Sequence, residues 1–262
     1  MQIVDSHCHA GESWFEPVEA LVHQMDDNSV EKGVLIQHMG VFDNSYLLDC
    51  AKRFPGRFTV VALVDASRPD ASDMLGQLVE EGVKGIRLSP EVRSPGGDPL
   101  LIWRNAAEFG LTVSSLGTLE DFASDNFRGI VEQLPSLSLV IEHLGGIGQS
   151  DDGSPYTQFR RFLELSEYPN TYIKVPGLGE ISTRPLVLSS NLHFEDTPPV
   201  IEMVMEAFGP RRMMWGSDFP PVSNREGYRN ALRGVMEYPA IGLGPDMDWV
   251  MGKTATSAFK IT

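Results

Sequence analysis

The sequence predicts an α/β fold, a (β/α)8 TIM barrel in a single domain that spans residues 1–262. Short apolar runs rich in β-branched residues alternate with amphipathic helical patterns along the whole chain. Runs such as VVALV and LSLVIE are apolar on both faces, as parallel strands covered by helices are. Eight runs in 262 residues give about 33 residues per unit, close to one βα repeat, which favours a closed barrel over an open sheet.

The eight predicted strands follow one another without a linker or a low-complexity stretch between them. They span residues 2–9, 33–39, 58–65, 82–89, 111–116, 137–144, 171–175 and 213–218. Helical patterns fill the intervals, for example at 70–81, 119–133, 199–208 and 225–238. Two intervals, 145–155 and 176–198, are longer than a helix requires. Because they follow C-terminal strand ends, where barrel enzymes build their sites, they are candidate lid segments.

Charge and composition exclude several classes of function. A formal net charge of −15 would repel nucleic acid and an anionic membrane surface, so neither is expected as a partner. A small-molecule substrate, even an anionic one, stays open, because a few local cations outweigh a distant field. The two cysteines, Cys8 and Cys50, form no CxxC pair, and no basic segment followed by an apolar one opens the sequence. We therefore expect a cytoplasmic protein, with a homo-oligomer left open.

The first strand ends in DSHCH, which carries His7 and His9. Residues two apart on a strand point to the same face, about 6–7 Å apart along it, so both imidazoles point together while Cys8 points away. Two imidazoles on one face at a barrel mouth can bind the same divalent ion. The alternative is a pair of ordinary buried histidines. A polar pair that closes an apolar strand is unusual for a core, so we interpret both as metal ligands.

Two further strands end in polar groups at the same mouth. The last strand, MMWGSDFP, ends in Asp218, which lies beside the first strand because the ring closes. Its carboxylate can bind a metal, accept a proton from water, or do both; the alternative is a structural cap of the following turn. The run VIEHLGG places His143 at the end of the sixth strand. Alone it is more often structural, but it converges with the other three residues.

Three residues are predicted to bind substrate. Arg87 lies near the mouth end of the fourth strand and can hold a substrate carboxylate with two hydrogen bonds, or pair with a nearby acid. Lys174 lies inside an apolar strand, where a lysine needs a partner. His38 ends the second strand and either lines the pocket or makes a structural hydrogen bond.

The motifs DSHCH, EHLGG and MMWGSDFP resemble the amidohydrolase superfamily. More narrowly they resemble its amidohydrolase-2 group, which includes sugar lactonases, 2-pyrone-4,6-dicarboxylate lactonase and metal-dependent decarboxylases. The stretches 43–48, 82–88 and 252–255, and Lys174 in YIKVPGL, are similar to the lactonase branch. Superfamily members with two metals use a lysine on the fourth strand and a histidine on the fifth, where this chain has IRLS and LTVSSL. The resemblance therefore implies at most one metal and argues against the decarboxylases.

The resemblance implies an enzyme that hydrolyses a small lactone, either sugar-derived or a carboxylated ring. Asp218 would activate the attacking water, beside one divalent ion (Zn²⁺ first, Mn²⁺ second) held by His7, His9, Asp218 and His143. His143 is either a ligand or a donor to the carbonyl oxygen, and metal-free polarisation by the three histidines stays open. The alternatives are a metal-dependent decarboxylase or hydratase of a small unsaturated acid, and a barrel that binds a metal or ligand without catalysis.

Overall fold

A computed structural model describes residues 1–150, 152–187, 194, 196–242 and 244–262 of the protein. Within these residues eight parallel strands form one sheet, in which each strand pairs with the next along the chain. The strands are β1 (Val4–Cys8), β2 (Lys32–Ile36), β3 (Phe58–Ala62), β4 (Gly85–Leu88), β5 (Thr112–Ser115), β6 (Ser138–Ile141), β7 (Thr171–Val175) and β8 (Met213–Trp215). Each strand overlaps one predicted run, and no run is left over.

The sheet closes between β1 and the residues that follow β8. Cys8 and Phe219 form a parallel bridge there. The Asp218 amide donates to the His7 carbonyl and the His9 amide donates to the Phe219 carbonyl, both at 2.8 Å. Backbone hydrogen bonds therefore join the first and last strands at the C-terminal mouth, and the predicted (β/α)8 barrel is confirmed.

Helices connect successive strands. They are α1 (Val18–Asp27), α2 (Ser45–Arg53), α3 (Ala71–Glu80), α4 (Leu101–Glu108), α5 (Leu119–Phe122), α6 (Asp125–Gln133), α7 (Thr157–Leu163), α8 (Val200–Phe208), α9 (Tyr228–Met236), α10 (Pro245–Asp248) and α11 (Thr254–Ala258). The predicted helix 119–133 is two helices, because the Ser124 side chain accepts a hydrogen bond from the Phe127 amide and so caps a new helix. None of the described helices is long and apolar enough to cross a membrane.

Apolar side chains fill the inside of the barrel toward the end at which the strands begin. The inner cluster of buried strand side chains comprises Val4, Val34, Ile36, Val61, Val140 and Met214. Ala258, at the end of helix α11, and Phe259, directly after it, belong to this cluster, and the Ala258 carbonyl accepts a hydrogen bond from Thr112 at the start of β5. Since α11 covers the end at which the strands begin, the opposite end is left for a functional site.

Candidate active site

The predicted metal ligands His7, His9 and Asp218 lie together at the mouth. The Nε2 atoms of the two histidines are 3.1 Å apart. Asp218 Oδ1 lies 3.9 Å from His7 Nε2 and 3.6 Å from His9 Nε2. All three side chains are almost completely buried. One ligand atom from each lies within 4.8 Å of the others, which is close enough for the three to share one ion.

The backbone turns sharply where two of the site residues leave their strands. Asp218 has a φ of 57° and His143 a φ of 52°, in the left-handed region that residues with a Cβ rarely adopt. The Asp218 amide is held by the His7 carbonyl, and Leu144, Gly145 and Gly146 continue the positive φ after His143. Strained backbone of this kind persists where the surroundings over-determine it, and it concentrates at functional sites.

His9 is prepared to offer a lone pair at Nε2. Its Nδ1 lies 2.7 Å from the Ile36 carbonyl, which can only accept, so the ring hydrogen is on Nδ1. Burial lowers the pKa of His9, although the nearby Asp218 carboxylate acts in the opposite direction. A neutral imidazole with its far nitrogen bonded to a backbone carbonyl is a typical metal-binding histidine.

Beneath His7 lies a fully buried ionic cluster that involves Arg87, Ser114, Glu142 and Lys174. Lys174 Nζ lies 2.9 Å from His7 Nδ1 and donates to Ser114 Oγ at 2.7 Å. Ser114 Oγ donates to Glu142 Oε1 at 2.6 Å, and Arg87 Nη2 donates to Glu142 Oε2 at 2.7 Å. The sequence suggested no role for Ser114 or Glu142, because neither stands out in an apolar strand without its partners in view.

Charge in this cluster is tightly balanced. Burial would raise the pKa of Glu142, but Arg87 and Lys174 overcome it and lower the pKa to about 2. Burial lowers the pKa of Lys174 to about 8, with Glu142 acting against it. Burial and the nearby Lys174 lower the pKa of His7 well below its usual value. His7 is therefore a neutral imidazole above a paired carboxylate.

The donor set fits a divalent ion in chemistry and spacing, since two imidazoles and a carboxylate are a usual catalytic zinc set. The contact between Lys174 and His7 opposes the binding of an ion. His7 can offer Nε2 to an ion only with its hydrogen on Nδ1, and that hydrogen would point at Lys174 Nζ, which already donates to Ser114. Any ion therefore competes with Lys174 for the favoured form of His7.

His143 is held by a second carboxylate that the sequence did not reveal. His143 Nδ1 lies 3.0 and 3.1 Å from the two oxygens of Glu180. Arg225 Nη1 donates to Glu180 at 2.9 Å and lies 3.4 Å from Asp218 Oδ2. Glu180 ends the short 3-10 helix Leu178–Glu180 in the irregular stretch 176–198, where spacing does not predict geometry. Residues 188–193 and 195 of that stretch, and Asp151 of 145–155, lie outside the described residues, so both lids stay predictions.

These contacts shift the pKa values of His143 and Asp218 in opposite directions. Burial lowers the pKa of His143, but Glu180, Asp218 and Glu142 outweigh it and raise the pKa above its usual value. Burial raises the pKa of Asp218, but the nearby His9, His143 and Arg225 outweigh it and lower the pKa. Near neutral pH the site thus offers a carboxylate beside a histidine that holds its proton more tightly than usual.

The three predicted substrate-binding residues occupy different depths. His38 is half-buried and stacks on Trp14, with ring centroids 6.3 Å apart and planes within 7°. Arg87 and Lys174 are only 4% and 2% exposed. The contacts of Arg87 are with Glu142 and the Gln37 carbonyl, the ion-pair alternative that the sequence left open. Substrate contact by Arg87 or Lys174 stays a prediction, because either would have to share donors that are already engaged.

Comparison with known proteins identifies relatives along nearly the whole chain. The sequence model of the amidohydrolase family matches residues 5–260. The 4-sulfomuconolactone hydrolase of Rhizobium radiobacter is 24% identical over 215 residues, which cover 78% of this chain and 66% of that protein. The L-fucono-1,5-lactonase of Burkholderia ambifaria is 27% identical over 207 residues, which cover 74% of this chain and 66% of that protein. The matched segment thus spans just under two thirds of the length of both relatives.

Solved structures share the architecture. The crystal structure of an amidohydrolase from Burkholderia multivorans with bound zinc superposes over 100% of both chains, with a TM-score of 0.77 and 18% sequence identity. At this identity the likeness establishes the fold alone. The eight strands in barrel order are therefore an arrangement that this chain has in common with that structure.

Proposed function

The chain belongs to the amidohydrolase family, and from this premise we propose that it is a hydrolase that opens a small lactone, either sugar-derived or a carboxylated ring. The observation that carries the proposal is the Asp218 carboxylate, whose pKa is lowered and which faces His7 and His9 at the mouth. The names of both curated relatives, which act on lactone rings, support the same reaction class. The fifth strand carries Ser114 and Ser115, without the histidine expected of the decarboxylases.

In the proposed reaction Asp218 accepts a proton from water while the water oxygen attacks the lactone carbonyl carbon. The carbonyl oxygen becomes an oxyanion, and His143 Nε2 donates a hydrogen bond to it. This role fits His143 because its Nδ1–H is bonded to Glu180 and its raised pKa favours the protonated ring, which carries a second hydrogen on Nε2. The ring C–O bond then breaks, and the leaving alkoxide takes the proton from Asp218. The product is one open-chain hydroxy acid, and Asp218 returns as a carboxylate.

We propose that one divalent ion, zinc in preference to manganese, is held by His7, His9 and Asp218, and when bound it polarises the carbonyl and lowers the pKa of water. Strands β4 and β5 read GIRL and TVSS, without the lysine and the histidine that a second ion would need. We also propose that His38 contacts substrate and that residues 1–262 act as one cytoplasmic domain, since Cys8 and Cys50 are both buried free thiols.

A lactone library with a pH indicator tests the reaction class. Purified protein is stripped with a chelator and assayed alone, with Zn²⁺ and with Mn²⁺. We expect acid release from at least one lactone class, whereas a library without any hydrolysed member would contradict the proposal. Activity that returns only with added metal indicates the ion-assisted reaction, whereas activity of the stripped protein indicates polarisation by the histidines alone.

Asp218→Asn tests the proposed base. We expect kcat to fall by about two to four orders of magnitude, because the side chain keeps its shape but no longer accepts the proton. Asp43→Asn is the matched control, since it makes the same chemical change at an exposed residue of the loop after β2. A near-normal kcat in Asp218→Asn with both variants folded would reduce Asp218 to a structural cap.

A further inference from the structure

We propose that a cavity above the C-terminal ends of β2, β3 and β4 binds an apolar substituent of the lactone, an aryl group or a short alkyl chain. This inference rests on the proposed function and specifies its substrate class. The cavity has a volume of about 240 Å³, which corresponds to roughly eight water volumes. Its apolar lining is formed by Met39, Phe42, Leu63, Val64, Leu88 and Val92.

Aromatic rings connect this cavity to the reacting groups. Phe15 stacks on His9 with centroids 5.1 Å apart, and it contacts His38 at 4.7 Å. His38 directly precedes Met39, which lines the cavity. On this arrangement a substrate with its carbonyl at Asp218 would extend past His38 toward Met39 and the cavity. The catalytic groups come from β1, the end of β6 and the end of β8, so the cavity takes the part of the substrate that does not react.

Exposed apolar side chains concentrate on this side of the mouth. Trp14 is 66% exposed, Phe42 45% and Met39 37%, although large apolar groups are normally buried. Val41 is a fourth exposed member of the same two loops. Isolated exposed apolar residues need no explanation, whereas a group of them beside a cavity is typical of a binding surface. Pockets that are mostly apolar with a few polar groups are also the usual form of small-molecule sites.

The polar lining favours a neutral substituent over a charged one. Arg87 lines the cavity, but its charge is paired with Glu142 at 2.7 Å. Asp65 and Arg93 also line the cavity, and their opposite charges leave no net preference for an ionic substituent. An uncharged aryl or alkyl group matches this lining.

Paired substrates test the proposal. Unsubstituted δ-valerolactone and the same ring with a phenyl substituent are compared on the full-length wild-type protein. We expect kcat/KM to be at least about tenfold higher for the phenyl lactone, since added apolar groups in a pocket are worth factors of this order. In Phe42→Ala we expect this preference to fall about tenfold, through KM, with the unsubstituted lactone unaffected. Phe109→Ala, at an equally exposed phenylalanine after α4, is the matched control.

A second variant fills the cavity instead of opening it. Ala66 lines the cavity and is nearly buried, so Ala66→Leu should reduce kcat/KM for the phenyl lactone and spare the unsubstituted ring. Equal kcat/KM values for the two lactones in the wild type, or equal losses on both in Phe42→Ala and Ala66→Leu, would overturn the proposal. If Phe42→Ala instead dissociates an oligomer and leaves the substrate preference unchanged, this face joins copies of the chain and the proposal is wrong.

Failure of the proposed function can be distinguished from failure of this inference. If neither lactone is opened, the reaction class is wrong, and binding of benzyl alcohol measured by NMR tests the cavity alone. We expect binding to the wild type and to Phe109→Ala, with the affinity reduced about tenfold in Phe42→Ala. Benzyl alcohol that binds all three proteins equally, or none of them, would overturn the inference.

Discussion

Two fully buried carboxyl groups support His7, and their surroundings are opposite. Asp5 lies on β1 and accepts hydrogen bonds from the His7 amide, the Ser217 amide and hydroxyl, and the Tyr228 hydroxyl. All four donors are neutral, and burial raises the pKa of Asp5 to about 6. Glu142 follows β6, lies 3.7 Å from His7 Nδ1 and is paired with Arg87, and its pKa is lowered to about 2.

The comparison teaches that hydrogen bonds alone do not hold a buried negative charge at this site. Four neutral donors leave Asp5 easier to protonate than a carboxyl in water, whereas two cations overcome the same burial at Glu142. Asp5 therefore acts as a hydrogen-bond hub that joins β1 to the end of β8. Glu142 acts as a fixed charge that holds Arg87 and Lys174 in place.

Among the changes at these two carboxyl groups, Glu142→Gln should lower the free energy of unfolding the most. The change leaves Arg87 and Lys174 buried without a negative partner, and losing one member of a buried ion pair costs about 3–5 kcal/mol. We expect the free energy of unfolding in urea to fall by this amount. Glu164→Gln is the control, because Glu164 pairs with Arg128 on the surface, where ion pairs contribute little. Similar losses in both variants would mean that burial of the Glu142 cluster carries no special weight.

Asp5→Asn should cost less, because no cation loses its partner. The amide keeps one accepting oxygen but turns donor hydrogens toward two of the four groups that now donate to Asp5. We expect a loss of about 1–3 kcal/mol in the free energy of unfolding, the usual range for unsatisfied buried groups. A loss as large as that of Glu142→Gln would show that Asp5 is held as an essential charge.

The residues that the sequence did and did not reveal differ in a physical way. His7, His9, His143 and Asp218 each end an apolar run, and in a parallel barrel all such ends meet at one mouth, so local pattern and topology together predicted that they converge. The eight strands were predictable for the same reason, since their period and length are local properties. The site roles assigned to these residues stay predictions.

Ser114, Glu142, Glu180 and Arg225 became visible only in three dimensions. The partners of Glu142 come from β4, β5 and β7, so no spacing along the chain links them. Glu180 and Arg225 lie in irregular segments after β7 and β8, where backbone geometry depends on tertiary contacts. For the same reason the sequence left open whether Arg87 pairs with an acid, and the structure identifies that acid as Glu142.

Lys174→Met should increase the affinity of the site for zinc, because Lys174 holds His7 in the form that binds an ion poorly. Removing Lys174 frees His7 to carry its hydrogen on Nδ1, where Glu142 Oε1 at 3.7 Å becomes the nearby acceptor. A carboxylate behind a histidine ligand is the arrangement that strengthens metal binding, and such contacts change affinity by about 10–100-fold. We expect zinc affinity, measured by competition with a chelator, to rise by this factor. Arg87→Met removes a cation that does not touch His7, so it should change the affinity much less.

The pH dependence of stability should have opposite signs for Asp5 and Glu142. Because the folded pKa of Asp5 is raised from 3.8 to about 6, its contribution is fully present below pH 3.8 and is lost as pH rises through 6. Because the pKa of Glu142 is lowered from 4.5 to about 2, its contribution is present above pH 4.5 and is lost as pH falls toward 2. Each group changes the free energy of unfolding by at most about 1.4 kcal/mol per pH unit.

Urea unfolding of the wild type, Asp5→Asn and Glu142→Gln between pH 3.5 and about pH 7.5 separates the two contributions. The stability difference between the wild type and Asp5→Asn should grow as pH falls from 6 toward 4, because protonated Asp5 is favoured in the folded state. The difference between the wild type and Glu142→Gln should stay constant above pH 4.5 and shrink below it. Two differences that change with pH in the same direction would mean that neutral donors hold the Asp5 charge as well as the cations hold that of Glu142.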